Sequence, residues 1–314
     1  MEQREKNLLG IGFVVLGMLI FSLQDVAVKR FSGQYPILEI VLFRSLTALP
    51  VTLLFFRGEG RHGLPTTRRP LLEIIRGGFY FLSFTTYMMG VAALPLGDMA
   101  AIRNSAPLMI TLLSAMFLGE GISLPRWLGL LTGFVGVLLI VQPGTATFNL
   151  GSVFALIATL FYALNVILTR KLHRTDSSAT MAFYSSLVYL GASFLLAPLS
   201  MLVGEVPDAH PSIAFLFAPW RIPSPLDLLI MLGLGLVWAA GMYCIARAYS
   251  LGQAPVVAPF EYSSLPINIL WGMLLWHHLP TAIMLSGATL TLLSGLYLIY
   301  RERRESMLKV ETKP

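Results

Sequence analysis

Asp25, Glu39, Arg44, Arg103 and Glu261 stand inside long apolar runs. A charge in such surroundings is costly unless it is paired, hydrated or put to use. These residues fall into two sets. Asp25, Glu39 and Arg44 lie in adjoining stretches and read either as a structural ion pair or as a gate that breaks on opening. Arg103-Asn104 and Glu261-Tyr262 form the second set, each about two turns into its own stretch. Aligning Gly129 with Gly287 sets Asn104 opposite Tyr262. One cation and one anion so placed suit a zwitterion such as an amino acid; the alternative is that each pairs with local polar groups. Glu261 is also a candidate proton-coupling carboxylate.

Aromatic residues supply a third element. Tyr80, Ser83 and Tyr87 follow i, i+3, i+7 spacing and share one helix face. Trp238 and Met242, with Tyr243 beside them, do the same farther on. Such faces make either ordinary helix packing or the wall of a site that grips an aromatic or amphipathic ligand through polar handles. Gln24 and Asn165 are single amides at matching places in their stretches, suited to interhelical hydrogen bonds or to ligand. Covalent chemistry has no comparable footing. No GxxxxGK[ST] phosphate loop is present, and neither HExxH nor GxSxG occurs. His277-His278 has no further ligands at metal-binding spacing. The expectation is no catalytic residue, no metal and no cofactor.

What positions these residues is a set of long apolar helices. Apolar residues make up 56% of the 314 and charged residues 12%, against about 45–50% and about 25% in soluble domains. Mean hydropathy is +0.74. So much apolar surface calls for lipid as solvent. The net charge of +6 then belongs to loops on one membrane face and does not imply nucleic acid. A span needs about 20 apolar residues. Ten stretches qualify, near 8–29, 37–56, 71–92, 97–118, 126–142, 150–170, 179–203, 226–249, 254–276 and 281–300. The Pro-rich segment 204–225 is an outside loop in which 213–217 lies on the membrane. With the N-terminus inside, nearly all loop Lys and Arg fall on the inner side. Lys29, Arg30 and Arg221 are the outside ones. Nine or eleven spans would scramble that asymmetry. The expected fold is an all-α integral membrane protein of ten transmembrane helices. Both termini are cytoplasmic, in the inner (plasma) membrane.

The second half restarts the first. Gly10 falls on Gly151, Phe13 on Phe154, Leu19 on Leu160 and Gln24 on Asn165, and the basic pair Lys29-Arg30 falls on Arg170-Lys171. Residues 1–148 and 149–314 are therefore read as two five-helix repeats. Five is odd, so the second enters the membrane inverted, an arrangement that secondary transporters use around a midplane site. Gly129-Leu-Leu-Thr-Gly133 is a GxxxG, read as internal packing first and a dimer face second, which leaves monomer and homodimer both open.

Several segments together resemble the drug/metabolite transporter superfamily, EamA type. They are Phe43-Arg44, Leu94-Pro95-Leu96-Gly97-Asp98, Ser105-Ala106-Pro107, Phe117-Leu118-Gly119-Glu120 and the run Gly136 to Gly144. The second half adds Pro259-Phe260-Glu261-Tyr262 and Gly295-Leu296-Tyr297; it departs at His277-His278, where members usually carry Gly-Glu. The resemblance implies two inverted five-helix halves around a central cavity. The third, fourth, eighth and ninth helices form most of that cavity, with the first and sixth contributing. It also implies a small-molecule substrate drawn from amino acids, amines, nucleosides, sugars or flavins. The expected function is alternating-access transport of a small organic metabolite, with amino-acid export as the leading reading. Uptake of a larger metabolite such as a flavin or S-adenosylmethionine is the second, and an intramembrane enzyme the alternative of another class. Tyr80, Tyr87, Arg103, Asn104, Trp238, Tyr243, Glu261, Asn165 and Gln24 are the candidate substrate-binding residues.

Overall fold

The computed structural model describes residues 2–58, 63–118, 124–145, 148–172, 175–252 and 254–311; Glu120 lies outside them. Among the described residues all regular structure is helical. In chain order it comprises α1 (Glu2–Phe31), α2 (Ile37–Gly58), α3 (Pro70–Ala93), α4 (Leu96–Arg103), α5 (Ala106–Leu118), α6 (Leu124–Val141) and α7 (Leu150–Leu172). There follow α8 (Ser178–Val203), α9 (Pro211–Phe217), α10 (Pro225–Leu251), α11 (Ala254–Val257), a 3-10 helix (Ala258–Ser263), α12 (Ser264–Trp276) and α13 (Ala282–Glu311).

Each apolar stretch of the sequence falls on helix. Six helical segments have the length and apolarity to cross a bilayer: Glu5–Phe31, Ile37–Gly58, Leu96–Phe117, Leu150–Thr169, Ser178–Val203 and Pro225–Ile245. Trp127–Val141 and Ala282–Leu298 are shorter apolar helices. The protein is a multi-pass membrane protein. Outward-facing leucines and phenylalanines such as Phe194, Leu195 and Leu202 on α8 are exposed, as lipid as solvent requires. The segment α9, expected to lie on the membrane, instead tucks Phe215 into the protein, where it is fully buried.

Two of the stretches are interrupted, and proline explains both. Pro107 has no N–H to give the Arg103 carbonyl, and its ring crowds that carbonyl. The chain therefore leaves the helix at Asn104–Ser105 and resumes as α5. Pro266, in the first turn of α12, stands in the same relation to Tyr262, where the 3-10 helix gives way to α12. Proline in a first helical turn costs nothing, because its missing N–H would have had no partner there.

The chain packs as two compact units, one of Met1–Leu19, Pro95–Phe148 and Gly241–Pro314, the other of Ile20–Leu94 and Asn149–Ala240. Each unit draws on both sequence halves. In the first, α6 and α13 meet backbone to backbone. A Cβ on Gly136 would lie 2.7 Å from the Gly287 carbonyl oxygen, and one on Gly287 would lie 2.6 Å from that of Gly136. The Ser294 hydroxyl donates to the Gly129 carbonyl across the same seam. The GxxxG of α6 is thus spent on internal packing.

In the second unit α3 packs on α7 and α8, and α2 on α8. Side chains stitch neighbouring backbones together. Ser83 Oγ donates to the Ala158 carbonyl at 2.9 Å, and Thr47 Oγ1 to that of Leu232 at 2.6 Å. Lys29 Nζ donates to the Val91 and Leu94 carbonyls at 2.8 and 2.6 Å, capping the last turn of α3 where the helix dipole favours a cation. Between apolar helices in lipid, such hydrogen bonds and close small-residue contacts replace the hydrophobic effect as the source of cohesion.

Candidate substrate-recognition site

The second unit holds a small cavity lined by Arg44, Ser45, Ala48, Tyr80, Ser185, Ser186, Tyr189 and Trp238. About 10 Å³ of it is open to the centre of a water molecule, room for roughly one water. Four helices supply the lining. On α2, Arg44 and Ala48 are one turn apart; on α8, so are Ser185 and Tyr189. On α3, Tyr80 is followed one turn later by Phe84, and α10 brings Trp238. Gly235 makes the approach of α10 to α2 possible, because a Cβ there would overlap Thr47 Oγ1 and the Arg44 carbonyl.

Arg44 is only 4% exposed. Its guanidinium carbon lies 4.1 Å from the centroid of the Phe84 ring, 5.2 Å from that of Tyr189 and 6.0 Å from that of Trp238. The rings hold one another in place. Tyr189 meets Tyr80 and Phe81 edge to face at 5.6 and 5.5 Å, and its hydroxyl donates to the Tyr80 carbonyl at 2.8 Å. The rings thus brace one another and face the cation with π-clouds. Arg44 Nε, Arg44 Nη1 and Trp238 Nε1 are buried and have no acceptor among the described residues.

This geometry corrects the expected pairing of Arg44 with Asp25 or Glu39. Asp25 accepts from the Tyr87 hydroxyl at 3.2 Å, and Glu39 from the Arg221 backbone N–H at 3.4 Å. Arg44 rests on rings because α3, α8 and α10 bring aromatic side chains to it before either carboxylate can reach. Of the candidate substrate residues, Tyr80 and Trp238 line the cavity with Arg44. Asn165 Nδ2 donates to the Arg76 carbonyl at 3.0 Å, an interhelical bond, while Gln24 is buried with its Oε1 unmatched.

Arg103, Asn104, Tyr243 and Glu261 belong to the other unit. There Asn104 closes α4, and its Oδ1 accepts from Ser264 Oγ at 3.3 Å, two residues beyond the Tyr262 that the alignment set opposite it. Tyr243 and Arg103 are exposed, and Glu261 is half-buried. Asn104 Nδ2, Tyr262 Oη, Ser263 Oγ and Asn268 Oδ1 are further buried polar atoms without partners, all beside the two helix interruptions.

Sequence reasoning missed Phe84, Ser185, Ser186 and Tyr189. Tyr189 carried a readable signal in its i+4 spacing from Ser185. It also missed a second buried cation. Arg76 is buried in α3, where its Nε donates to Glu73 Oε2 at 3.0 Å. Its Nη2 reaches Ser185 Oγ at 2.9 Å and the Met181 carbonyl.

Residues 8–142 match the model of the EamA-like transporter family. An S-adenosylmethionine uptake transporter of Rickettsia conorii is 26% identical over 98% of this chain and 97% of its own. A riboflavin transporter of Vibrio cholerae is 26% identical over 98% of each. The pseudopaline exporter CntI of Pseudomonas aeruginosa is 28% identical over 92% of this chain and 95% of its own. A solved crystal structure covers 95% of this chain with a TM-score of 0.62 at 17% identity, a likeness of fold alone.

Proposed function

We propose that this chain, whose residues 8–142 match the EamA-like transporter family, is a secondary transporter that imports a metabolite bearing a planar ring system. It works by alternating access. Residues 1–148 and 149–314 are its two inverted repeats, crossing the inner (plasma) membrane ten times with both termini cytoplasmic. The coarse statement, a membrane transporter of small metabolites, rests on family and relatives together. The finer reading rests on one observation, the cavity of Tyr80, Tyr189 and Trp238 around Arg44. Flat aromatic walls with polar edges grip flat ligands through stacking. Relatives named for S-adenosylmethionine and riboflavin support the same cargo class.

Amino-acid export is the second reading. The cation and anion at Arg103 and Glu261 favour it, and so does the relative named as an exporter. Counterflow in proteoliposomes separates the two. Vesicles preloaded with S-adenosylmethionine or riboflavin should drive saturable uptake of the labelled compound, and amino acids should neither drive nor compete. Robust amino-acid counterflow with none for ring-bearing compounds would reverse the order. Repeating the assay with an imposed proton gradient tests Glu261: gradient-driven accumulation that Glu261→Gln abolishes, with counterflow retained, marks it as the coupling carboxylate.

A further inference from the structure

We infer that the cargo carries an anionic group, a carboxylate or a phosphate, and that Arg44 is the residue that takes it. The inference deepens the transport reading above and rests on it. Its ground is a charge left uncompensated. A guanidinium stays protonated in any protein environment, so Arg44 brings a full positive charge into apolar helices. Cation–π contact with Phe84 and Tyr189 offsets part of the lost hydration. It offers nothing to the N–H groups that point away from the ring faces.

Each buried carboxylate described in this unit already has a donor of its own. Asp25 has Tyr87, Glu39 has the Arg221 backbone, Glu73 has Arg76, and Asp176 accepts from the Thr175 hydroxyl at 2.8 Å. Two Arg44 N–H groups and the Trp238 indole N–H remain buried without acceptors around one cavity. Buried donors are matched almost everywhere in proteins, so three unmatched donors at one spot mark a place built for acceptors that arrive from outside. Charge and donor count specify an oxyanion. Ser45, Ser185 and Ser186 add hydroxyls to the same lining.

The cavity as seen holds about one water, so the oxyanion enters only when the rings part. Stacking by Tyr80 and Trp238 then orients the ring of a cargo whose anionic end sits on Arg44. A neutral flat compound keeps the stacking and loses the anchor.

The test is binding to purified protein in nanodiscs, followed by calorimetry. Matched pairs serve as probes: S-adenosylhomocysteine against 5′-methylthioadenosine for a carboxylate, and flavin mononucleotide against riboflavin for a phosphate. Wild type should bind the anionic member of at least one pair about ten- to a hundredfold more tightly, the range for hydrogen bonds to charged groups. Arg44→Met should bring the two members of that pair to equal affinity, and Arg44→Lys should restore part of the preference. Size-exclusion chromatography establishes that each variant is folded.

Equal affinity for both members, a preference that survives Arg44→Met, or binding of neutral members alone would overturn the proposal. The counterflow assay judges transport separately. Counterflow of ring compounds with no preference for the anionic member of a pair would keep the transport reading and remove the anion, whereas no counterflow by any probe would remove the transport reading itself.

Discussion

The second unit buries two arginines, and they are treated in opposite ways. Arg76 has a carboxylate at 3.0 Å, a serine hydroxyl and a backbone carbonyl. Arg44 has three aromatic rings and at least two N–H groups with nothing to bind. Ser185 belongs to both settings, as an acceptor for Arg76 and as part of the lining around Arg44. A charge matched within the protein holds helices together. One cushioned by rings and left unmatched holds them together poorly, and so needs another reason to be there. Burial alone does not separate the two, since both are about 5% exposed or less; the partners do.

Removing the partner of the matched arginine should have the largest effect. Glu73→Ala strands Arg76 among apolar helices, and losing one member of a buried pair costs about 3–5 kcal/mol. Thermal unfolding in detergent should show a large fall in midpoint; a shift within error would show that water reaches Arg76. Next comes Gly235→Ala, which drives a methyl group into Thr47 and the Arg44 carbonyl. Overpacking of this kind costs about 1–3 kcal/mol. It should also loosen the ring cage, read as a red shift in tryptophan emission with Trp238→Phe as the control.

Asn165→Ala removes the bond to the Arg76 carbonyl at a cost of about 0.6–1.7 kcal/mol, the range for interhelical hydrogen bonds in membrane proteins. A double-mutant cycle with Glu73→Ala should show coupling, since both act through Arg76. The smallest change belongs to Arg44→Met. Trading an uncompensated buried cation for a side chain of similar volume should leave the unfolding midpoint unchanged or raise it, by analogy with buried charges replaced by apolar residues. A loss as large as that from Glu73→Ala would make Arg44 a structural cation like Arg76.

The sequence laid out the helices well and the partners poorly, for a physical reason. Apolar stretches act on the chain where they stand, so helix positions follow from local text, whereas the breaks before Pro107 and Pro266 were not read from the continuous stretches 97–118 and 254–276. The repeat reading paired Gln24 with Asn165, and of the two only Asn165 forms a described interhelical bond. Partners of Arg44 come from α3, α8 and α10, far away in sequence, so nearness in the chain pointed wrongly to Asp25 and Glu39. Arg76 was passed over in the sequence. The Glu73 spacing of i, i+3 was the signal that could have corrected it. Tyr80 and Trp238 stood out because aromatic residues at helical spacing carry their own argument, and both line the cavity.

The glycine seam of α6 and α13 has a practical meaning. Where two backbones touch at Gly136 and Gly287, no side chain lies between them to swing or reorient. Spin labels placed at the outer ends of these two helices should therefore report a single, narrow distance whatever solute is present, an internal ruler against which displacement elsewhere in the molecule can be read.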